Sequence, residues 1–115
     1  MCYPLLCSKS RYYVTTGSES PFAKWFAELD ATAGAKIVRA LARMEQGNLS
    51  NVKSAGEGVL EYRIDFGPGY RIYFGRDGET IIILLTGGTK KRQRRDIEAA
   101  HAYWQDYKRG RRGRG

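Results

Sequence analysis

Residues 60–85 constrain the fold most strongly, because apolar and polar side chains alternate along them and two turn signals divide them. The segments LEYRIDF (60–66) and YRIYF (70–74) have the period of two that is typical of strands with one buried face. Gly-Pro-Gly separates them, and Asp-Gly at positions 77–78 favours a tight hairpin before the apolar run IIILL (81–85). The stretch therefore predicts three consecutive antiparallel strands.

The same alternation predicts which side chains share a face. If the aromatic and aliphatic residues face a core, four polar residues lie together on the opposite, solvent-exposed face: Glu61, Arg63, Arg71 and Tyr73. Lys90 and Lys91 follow the last strand and would reach the edge of that face. We therefore expect a wet, cationic sheet surface that also carries one carboxylate and one phenol.

The rest of the chain supplies the other elements. Residues 11–15 have the β-branched and aromatic bias of a first strand, and Ser20-Pro21 and Asp30 are start signals for two helices. Residues 49–58, rich in Asn, Ser and Gly, predict a loop, and residues 90–107 predict a C-terminal helix. The expected order is β-α-α-β-β-β-α. It describes an α+β domain with its helices packed on one face of an antiparallel four-stranded sheet.

Length, cysteine content and charge limit the class of protein. A chain of 115 residues is one domain, expected over residues 11–107 after a loose leader of residues 1–10. No apolar run is long enough to span a membrane, and Cys2 and Cys7 lie too close in sequence for a useful disulfide, so we expect a cytoplasmic protein with reduced thiols.

The positive charge is concentrated near the C-terminus. The net charge is +8, and residues 90–115 hold 10 Lys and Arg against 3 Asp and Glu. Such a cluster indicates a polyanionic or acidic partner, and the Gly-interrupted tail of residues 108–115 is expected to be disordered until it binds. The alternative is a solvated basic tail without a specific partner.

The sequence contains no motif of the common metal-dependent or nucleotide-dependent enzymes, so no metal and no cofactor is expected. His101 is the only histidine, and a lone helical histidine is more often a surface or packing residue than a catalyst. RNA, in contrast, carries its own nucleophile, the 2′-hydroxyl group. A cationic protein surface can therefore cleave RNA if it moves two protons and stabilises the charged transition state.

The cationic face offers residues for each of these tasks. The planar guanidinium groups of Arg63 and Arg71 are suited to binding phosphoryl oxygens. Candidates for the general acid and base are Lys53, Lys90, Lys91 and Glu61. Tyr73 could orient the ribose or stack on a base. The alternative is structural: both arginines would merely pair with Glu61 and Asp65 on a solvated sheet.

The segments GNLSNVKSAGEGVLEYRIDFGPGYRIYF (47–74) and IIILLTGGTKKRQRRDIEAA (81–100) resemble the RelE/ParE superfamily of bacterial toxins, in particular its HigB-like "addiction module killer protein" branch. The resemblance covers residues 12–105. It implies a RelE-like fold, with a helical hairpin packed on a twisted antiparallel sheet. It also implies the toxin of a type II toxin–antitoxin system, acting as a ribosome-dependent mRNA endoribonuclease (an mRNA interferase) that inhibits translation.

The implied partners are the ribosome, mRNA and a HigA-like helix-turn-helix antitoxin, through which alone the toxin would reach operator DNA. By position, the GPGYR turn makes Arg71 the first candidate for phosphate binding, followed by Arg63 with its neighbour Glu61. The GGxK element adds Lys90 and Lys91. Further RNA-binding candidates are Lys53, Arg92, Arg94 and Arg95.

The sequence departs from the better-known RelE enzymes at one position, because Ile97 stands where they place a tyrosine. Tyr73 or Tyr103 would have to substitute for it. Two other functions stay open. One is ParE-like inhibition of DNA gyrase without nuclease activity, and the other is a basic binding module whose only partner is its antitoxin.

Overall fold

A computed structural model describes the backbone of residues 9–113 and the side chains of residues 9–110. Its elements are β1 (Lys9–Tyr12), α1 (Pro21–Ala27), α2 (Ala31–Glu45), β2 (Val52–Gly56), β3 (Val59–Ile64), β4 (Tyr70–Asp77), β5 (Ile81–Thr89), a 3₁₀ turn (Lys90–Arg92) and α3 (Gln93–Gly113). The strands form one sheet in the order β1-β5-β4-β3-β2. β1 is parallel to β5, and the other neighbours are antiparallel.

The two N-terminal helices begin where the sequence predicts. Ser20 Oγ accepts a hydrogen bond of 3.1 Å from the backbone N–H of Ala23, and Pro21 takes the first helical position. Asp30 Oδ1 accepts one of 2.8 Å from the N–H of Ala33. Each cap satisfies an amide that a helix start leaves without an intrahelical partner. Both predicted helices are confirmed, and they contribute to the same core.

Helices cover both faces of the sheet. On one face α1 and α2 enclose what we call the first core, which includes Phe22, Ile37, Met44, Ile72 and Phe74. On the other face α3 encloses the second core, which includes Val59, Ile83, Leu85, Ala100 and Trp104. Burial of these apolar side chains is the main driving force for packing the helices on the sheet.

Hydrogen bonds add to the packing of α3. Tyr13 Oη donates to Asp106 at 2.6 Å, and Tyr107 Oη donates to Asp77 at 2.6 Å. His101 Nε2 lies 2.8 Å from the carbonyl oxygen of Ala55, an oxygen that can only accept, so the ring donates there. The histidine therefore ties α3 to β2, in agreement with its predicted structural role.

The α+β class is confirmed, but the predicted sheet was wrong in strand number and direction. Residues 52–56, predicted as a loop, form the edge strand β2, so the sheet has five strands. An edge strand needs backbone pairing on one side only, which a polar sequence does not prevent. β1 begins at Lys9, before the predicted residue 11, and its parallel pairing with β5 makes the sheet mixed.

The predicted position of the last helix was also wrong. The helices do not share one face, because Val59, Ile83 and Leu85 form an apolar patch that α3 covers. α3 also continues past Tyr107 to Gly113. Residues 1–8, with Cys2 and Cys7, lie outside the described residues. Residues 108–113 of the expected disordered tail lie in α3, and residues 9 and 10 of the expected leader lie in β1, whereas the expectations for residues 1–8 and 114–115 stay predictions. Within residues 9–113, no helix combines the length and the apolarity needed to cross a membrane.

Candidate functional site

Two neighbouring rows of side chains cross the α3 face of the sheet near the start of α3. In the first row Lys53 of β2 pairs with Glu61 of β3, and Glu61 pairs with Tyr73 of β4. In the second row Arg63 pairs directly with Arg71. Paired residues of antiparallel strands point to the same side of the sheet. The register therefore confirms that Glu61, Arg63, Arg71 and Tyr73 share a face.

The alternation predicts that this face is exposed to solvent, but at its centre it is buried. Glu61 is 2% exposed, Arg71 4% and Tyr73 0%, because α3 packs over this side of the sheet. A fully buried ring cannot stack on an RNA base, so that interpretation of Tyr73 was wrong. Arg63 is partly exposed.

An open cleft of about 430 Å³ adjoins the two rows, and we call it the central cleft. Its basic lining consists of Lys53, Arg63, Arg71 and Lys90. Its other lining residues are Ser50, Asn51, Asp65, Gly69 and Gln93. The structure therefore brings together four predicted cations from β2, β3, β4 and the 3₁₀ turn, with Asp65 as the one carboxylate among the lining residues.

Gly69 explains how Lys90 reaches this cleft. The glycine has a φ of +79°, a backbone conformation that side chains disfavour. Its carbonyl oxygen accepts a hydrogen bond of 2.8 Å from the N–H of Lys90. A Cβ atom on Gly69 would lie 3.4 Å from Cβ of Lys90 and 3.7 Å from a terminal nitrogen of Arg71. The Gly-Pro-Gly turn thus allows the β3–β4 connection to approach the 3₁₀ turn closely.

Glu61 positions two of the lining residues. One of its carboxylate oxygens accepts a hydrogen bond of 2.7 Å from Nε of Arg63, and the other accepts one of 2.6 Å from Nε2 of Gln93. The first contact is also an ion pair. Charge-assisted hydrogen bonds of this length are strong, so they orient both partners. The role of Glu61 as a general base stays a prediction.

Arg71 lies at the base of the cleft with few partners. One terminal nitrogen donates to the carbonyl oxygen of Tyr70 at 3.3 Å, and Nε is buried without a hydrogen-bond partner. Among the described residues, no carboxylate forms an ion pair with it. A buried guanidinium without a counter-charge is unfavourable, and binding an anion would relieve this.

Asp96, in the first turn of α3, is a residue to which the sequence patterns assigned no role. Gly88 pairs with Arg71 across the sheet, and a Cβ atom on Gly88 would overlap the carboxylate of Asp96. This carboxylate therefore occupies the space of a side chain at position 88. Oδ2 has no hydrogen-bond partner among the residues that the structure describes. Burial raises the pKa of Asp96, although the charges of Arg92 and Arg95 oppose this.

The carboxylates of Glu61 and Asp96 lie close enough to Tyr73 to affect its pKa. The hydroxyl group of Tyr73 is buried and makes no hydrogen bond of ordinary geometry within residues 9–110. Burial raises the pKa of Tyr73 above its usual value, and the negative charges of Glu61 and Asp96 raise it further. The phenol therefore stays protonated at neutral pH and cannot act as a base.

The other predicted residues lie outside the central cleft. Lys91, Arg92, Arg94 and Arg95 are exposed and do not line it, and their roles stay predictions. Ile97 packs against the second core, and the Tyr103 ring stacks on Tyr13 at 5.2 Å. Tyr103 is therefore not at the cleft as a substitute for a catalytic tyrosine. Within residues 9–113, no group of three or more His, Cys, Asp or Glu side chains is arranged to hold a metal ion.

Sequence comparison identifies the family to which the chain belongs. Residues 24–104 match the family model described as "Phage derived protein Gp49-like (DUF891)", and this range includes all lining residues of the central cleft. The chain is 40% identical over 80 residues to an uncharacterized protein of Haemophilus influenzae, an alignment that covers 69% of this chain and 81% of the relative. The chain therefore belongs to the Gp49-like family of phage-derived proteins, a RelE-like, toxin-like family.

Proposed function

We propose that this protein is the toxin of a type II toxin–antitoxin system and cleaves mRNA on the ribosome without a metal ion. The observation that supports this best is Arg71, a buried guanidinium that lies at the base of a cationic cleft and has no ion pair with any of the described side chains. A phosphodiester group of RNA would supply the negative charge that pairs with Arg71. Membership of a toxin-like family supports the biological role.

In this mechanism the central cleft binds the scissile phosphate and the ribose before it. Arg71 binds the non-bridging phosphoryl oxygens and stabilises the charge that develops on them in the transition state. Arg63, oriented by Glu61, contributes a second guanidinium. The 2′-hydroxyl of the RNA attacks phosphorus, its proton leaves to a base, and the departing 5′ oxygen takes a proton from an acid. Lys53 and Lys90 line the cleft and are the candidates for proton transfer.

The remaining parts of the system follow from the toxin role. An antitoxin partner is expected for a toxin-like family, and we propose that it is a HigA-like helix-turn-helix protein that also binds the operator. We propose that the chain belongs to the HigB-like branch of the superfamily. The site of action is then the cytoplasm, where ribosomes and mRNA are found.

Purified ribosomes programmed with mRNA test the proposal. Wild-type protein should yield defined cleavage products, and Arg71→Ala should lower the single-turnover cleavage rate by about 10²–10³, the usual effect of removing one transition-state donor. Arg76→Ala is the matched control. Arg76 lies on the same strand, is exposed outside the central cleft and donates a hydrogen bond to the Glu79 carbonyl oxygen in its turn, so its removal should leave the rate unchanged.

Two other results would redirect the assignment. Intact mRNA together with inhibition of gyrase supercoiling would replace the nuclease by a ParE-like inhibitor. Intact mRNA, normal supercoiling and no growth arrest on expression would leave a binding module whose partner is the antitoxin.

A further inference from the structure

A second groove, next to the central cleft, is also lined by basic side chains. It has a volume of about 260 Å³ and lies between α2 and the end of β3, and we call it the α2 groove. Lys36, Arg39 and Arg43 line it from α2, and Arg63 and Asp65 line it from the strand side. No motif in the sequence points to a function for the three α2 residues.

The three α2 residues form one side of a helix. Their spacing of i, i+3 and i+7 places them on successive turns, facing the same way. Nζ of Lys36 lies 5.0 Å from the centre of the Phe66 ring, so this residue contacts the β3–β4 connection. Arg39 and Arg43 are exposed, and neither forms an ion pair in the described part of the chain. Their guanidinium groups are therefore available to an external anion.

The α2 groove and the central cleft are continuous. They share Asn51, Arg63 and Asp65 as lining residues. Together they are lined by seven Lys and Arg side chains and one carboxylate, that of Asp65. A cationic path of this kind attracts an anion whose charge repeats along its length.

We propose that single-stranded RNA bound in the central cleft continues into the α2 groove, where Arg39 and Arg43 bind its backbone phosphates. The inference deepens the proposed function and rests on RNA as its substrate. Single-stranded RNA is favoured over an acidic peptide because the groove leads directly away from the site that we assign to a phosphodiester. The next phosphates of the same strand are then the nearest anions.

The test compares two labelled oligouridylates of about 4 and about 12 nucleotides, lengths within the range that single-strand binding sites cover. Binding of each to the full chain is followed by fluorescence anisotropy between low and moderate salt. The variant is Arg39→Ala/Arg43→Ala. Both side chains are exposed, so the variant should fold, and circular dichroism checks that it does. The matched control is Arg11→Ala/Arg76→Ala, which removes the same charge at exposed positions outside both grooves.

For the longer RNA we expect the α2 double variant to weaken binding by at least about threefold. It should also reduce the slope of log affinity against log salt by about 0.7 for each lost phosphate contact. The shorter RNA, which extends less far beyond the central cleft, should lose much less. The control should reduce affinity for both lengths slightly and equally, through net charge alone.

Two outcomes would overturn the inference. One is an α2 double variant that matches the control with both RNA lengths. The other is a variant that binds RNA normally but no longer binds the antitoxin, which would assign the groove to an acidic protein segment.

Ribosome cleavage assays keep the two proposals separate. If wild-type protein leaves mRNA intact while the length-dependent loss is observed, the nuclease assignment fails and the groove stands as an RNA-binding surface. If mRNA is cleaved and no length dependence is found, the groove assignment alone fails.

Discussion

The two faces of the sheet are packed in different ways. Under α1 and α2, the first core is built from apolar side chains such as Phe22, Ile72 and Phe74. Under α3, the second core is apolar near Trp104 but polar where α3 begins. Within the described residues, the buried side-chain atoms without hydrogen-bond partners are Arg71 Nε, Tyr73 Oη and Asp96 Oδ2. All three belong to the α3 side.

This difference indicates that one face of the sheet mainly stabilises the fold and the other mainly binds a ligand. Buried polar atoms without partners lower stability, and they are rare in folded proteins. Their concentration at the edge of the central cleft is what we expect of a site arranged for a ligand rather than for packing. The α1–α2 face, in contrast, should tolerate change poorly because it carries most of the aromatic packing.

The largest expected effect is therefore on the first core. Phe74→Ala should lower the free energy of unfolding by about 3–5 kcal/mol, because it removes a fully buried aromatic ring and leaves a cavity. Urea unfolding followed by fluorescence measures this. A loss below about 1 kcal/mol would show that this face is not the stabilising one.

Gly88→Ala is expected to have the next largest effect, a loss of about 1–3 kcal/mol from overpacking against Asp96. A double-mutant cycle with Asp96→Ala isolates the contact. In the Asp96→Ala background the same glycine substitution should cost markedly less. Equal losses in both backgrounds would mean that Asp96 does not occupy the space at position 88.

Arg71→Met should change stability in the opposite direction. The substitution replaces a buried, unpaired guanidinium by an apolar side chain of comparable length, so we expect a gain of about 1 kcal/mol in unfolding free energy. Ribosomal cleavage by the same variant should be lost. A variant that is less stable than wild type would contradict the idea that this residue is retained for binding.

The smallest effect is the pH dependence contributed by Asp96. Its raised pKa means that the folded chain keeps this proton to higher pH than the unfolded chain does. Stability from this group is thus lost as pH rises from the ordinary Asp value of about 3.9 through the folded value. Asp96→Asn should therefore gain stability relative to wild type as pH rises above the ordinary Asp value of about 3.9. A difference that does not change with pH would place the carboxylate in water.

Local patterns predicted which side chains share a face and where two helices begin better than they predicted the strand order of the sheet. The alternation in residues 60–74 places Arg63 and Arg71 on the same face of the sheet, and the register confirms this. The caps at Ser20 and Asp30 were equally predictable, because each depends on contacts within one helical turn.

Long-range pairing was less accessible from the sequence. The parallel pairing of β1 with β5 joins residues more than seventy positions apart, and nothing in either segment specifies the partner. The burial of Tyr73 depends on where α3 packs, which alternation within a strand does not encode. Asp96 was overlooked for a related reason. Its role depends on the absence of a side chain at Gly88, which lies on another element.

The double contact of Glu61 links the shape of the cleft to the position of a helix. The same carboxylate holds Arg63, which lines the cleft, and Gln93, which begins α3. A protein that pulls the first turn of α3 away from the sheet would break one of these contacts and loosen the other. Inhibition of such a toxin would then not require its inhibitor to enter the cleft, since displacing the helix start from outside would already disorient a guanidinium within it.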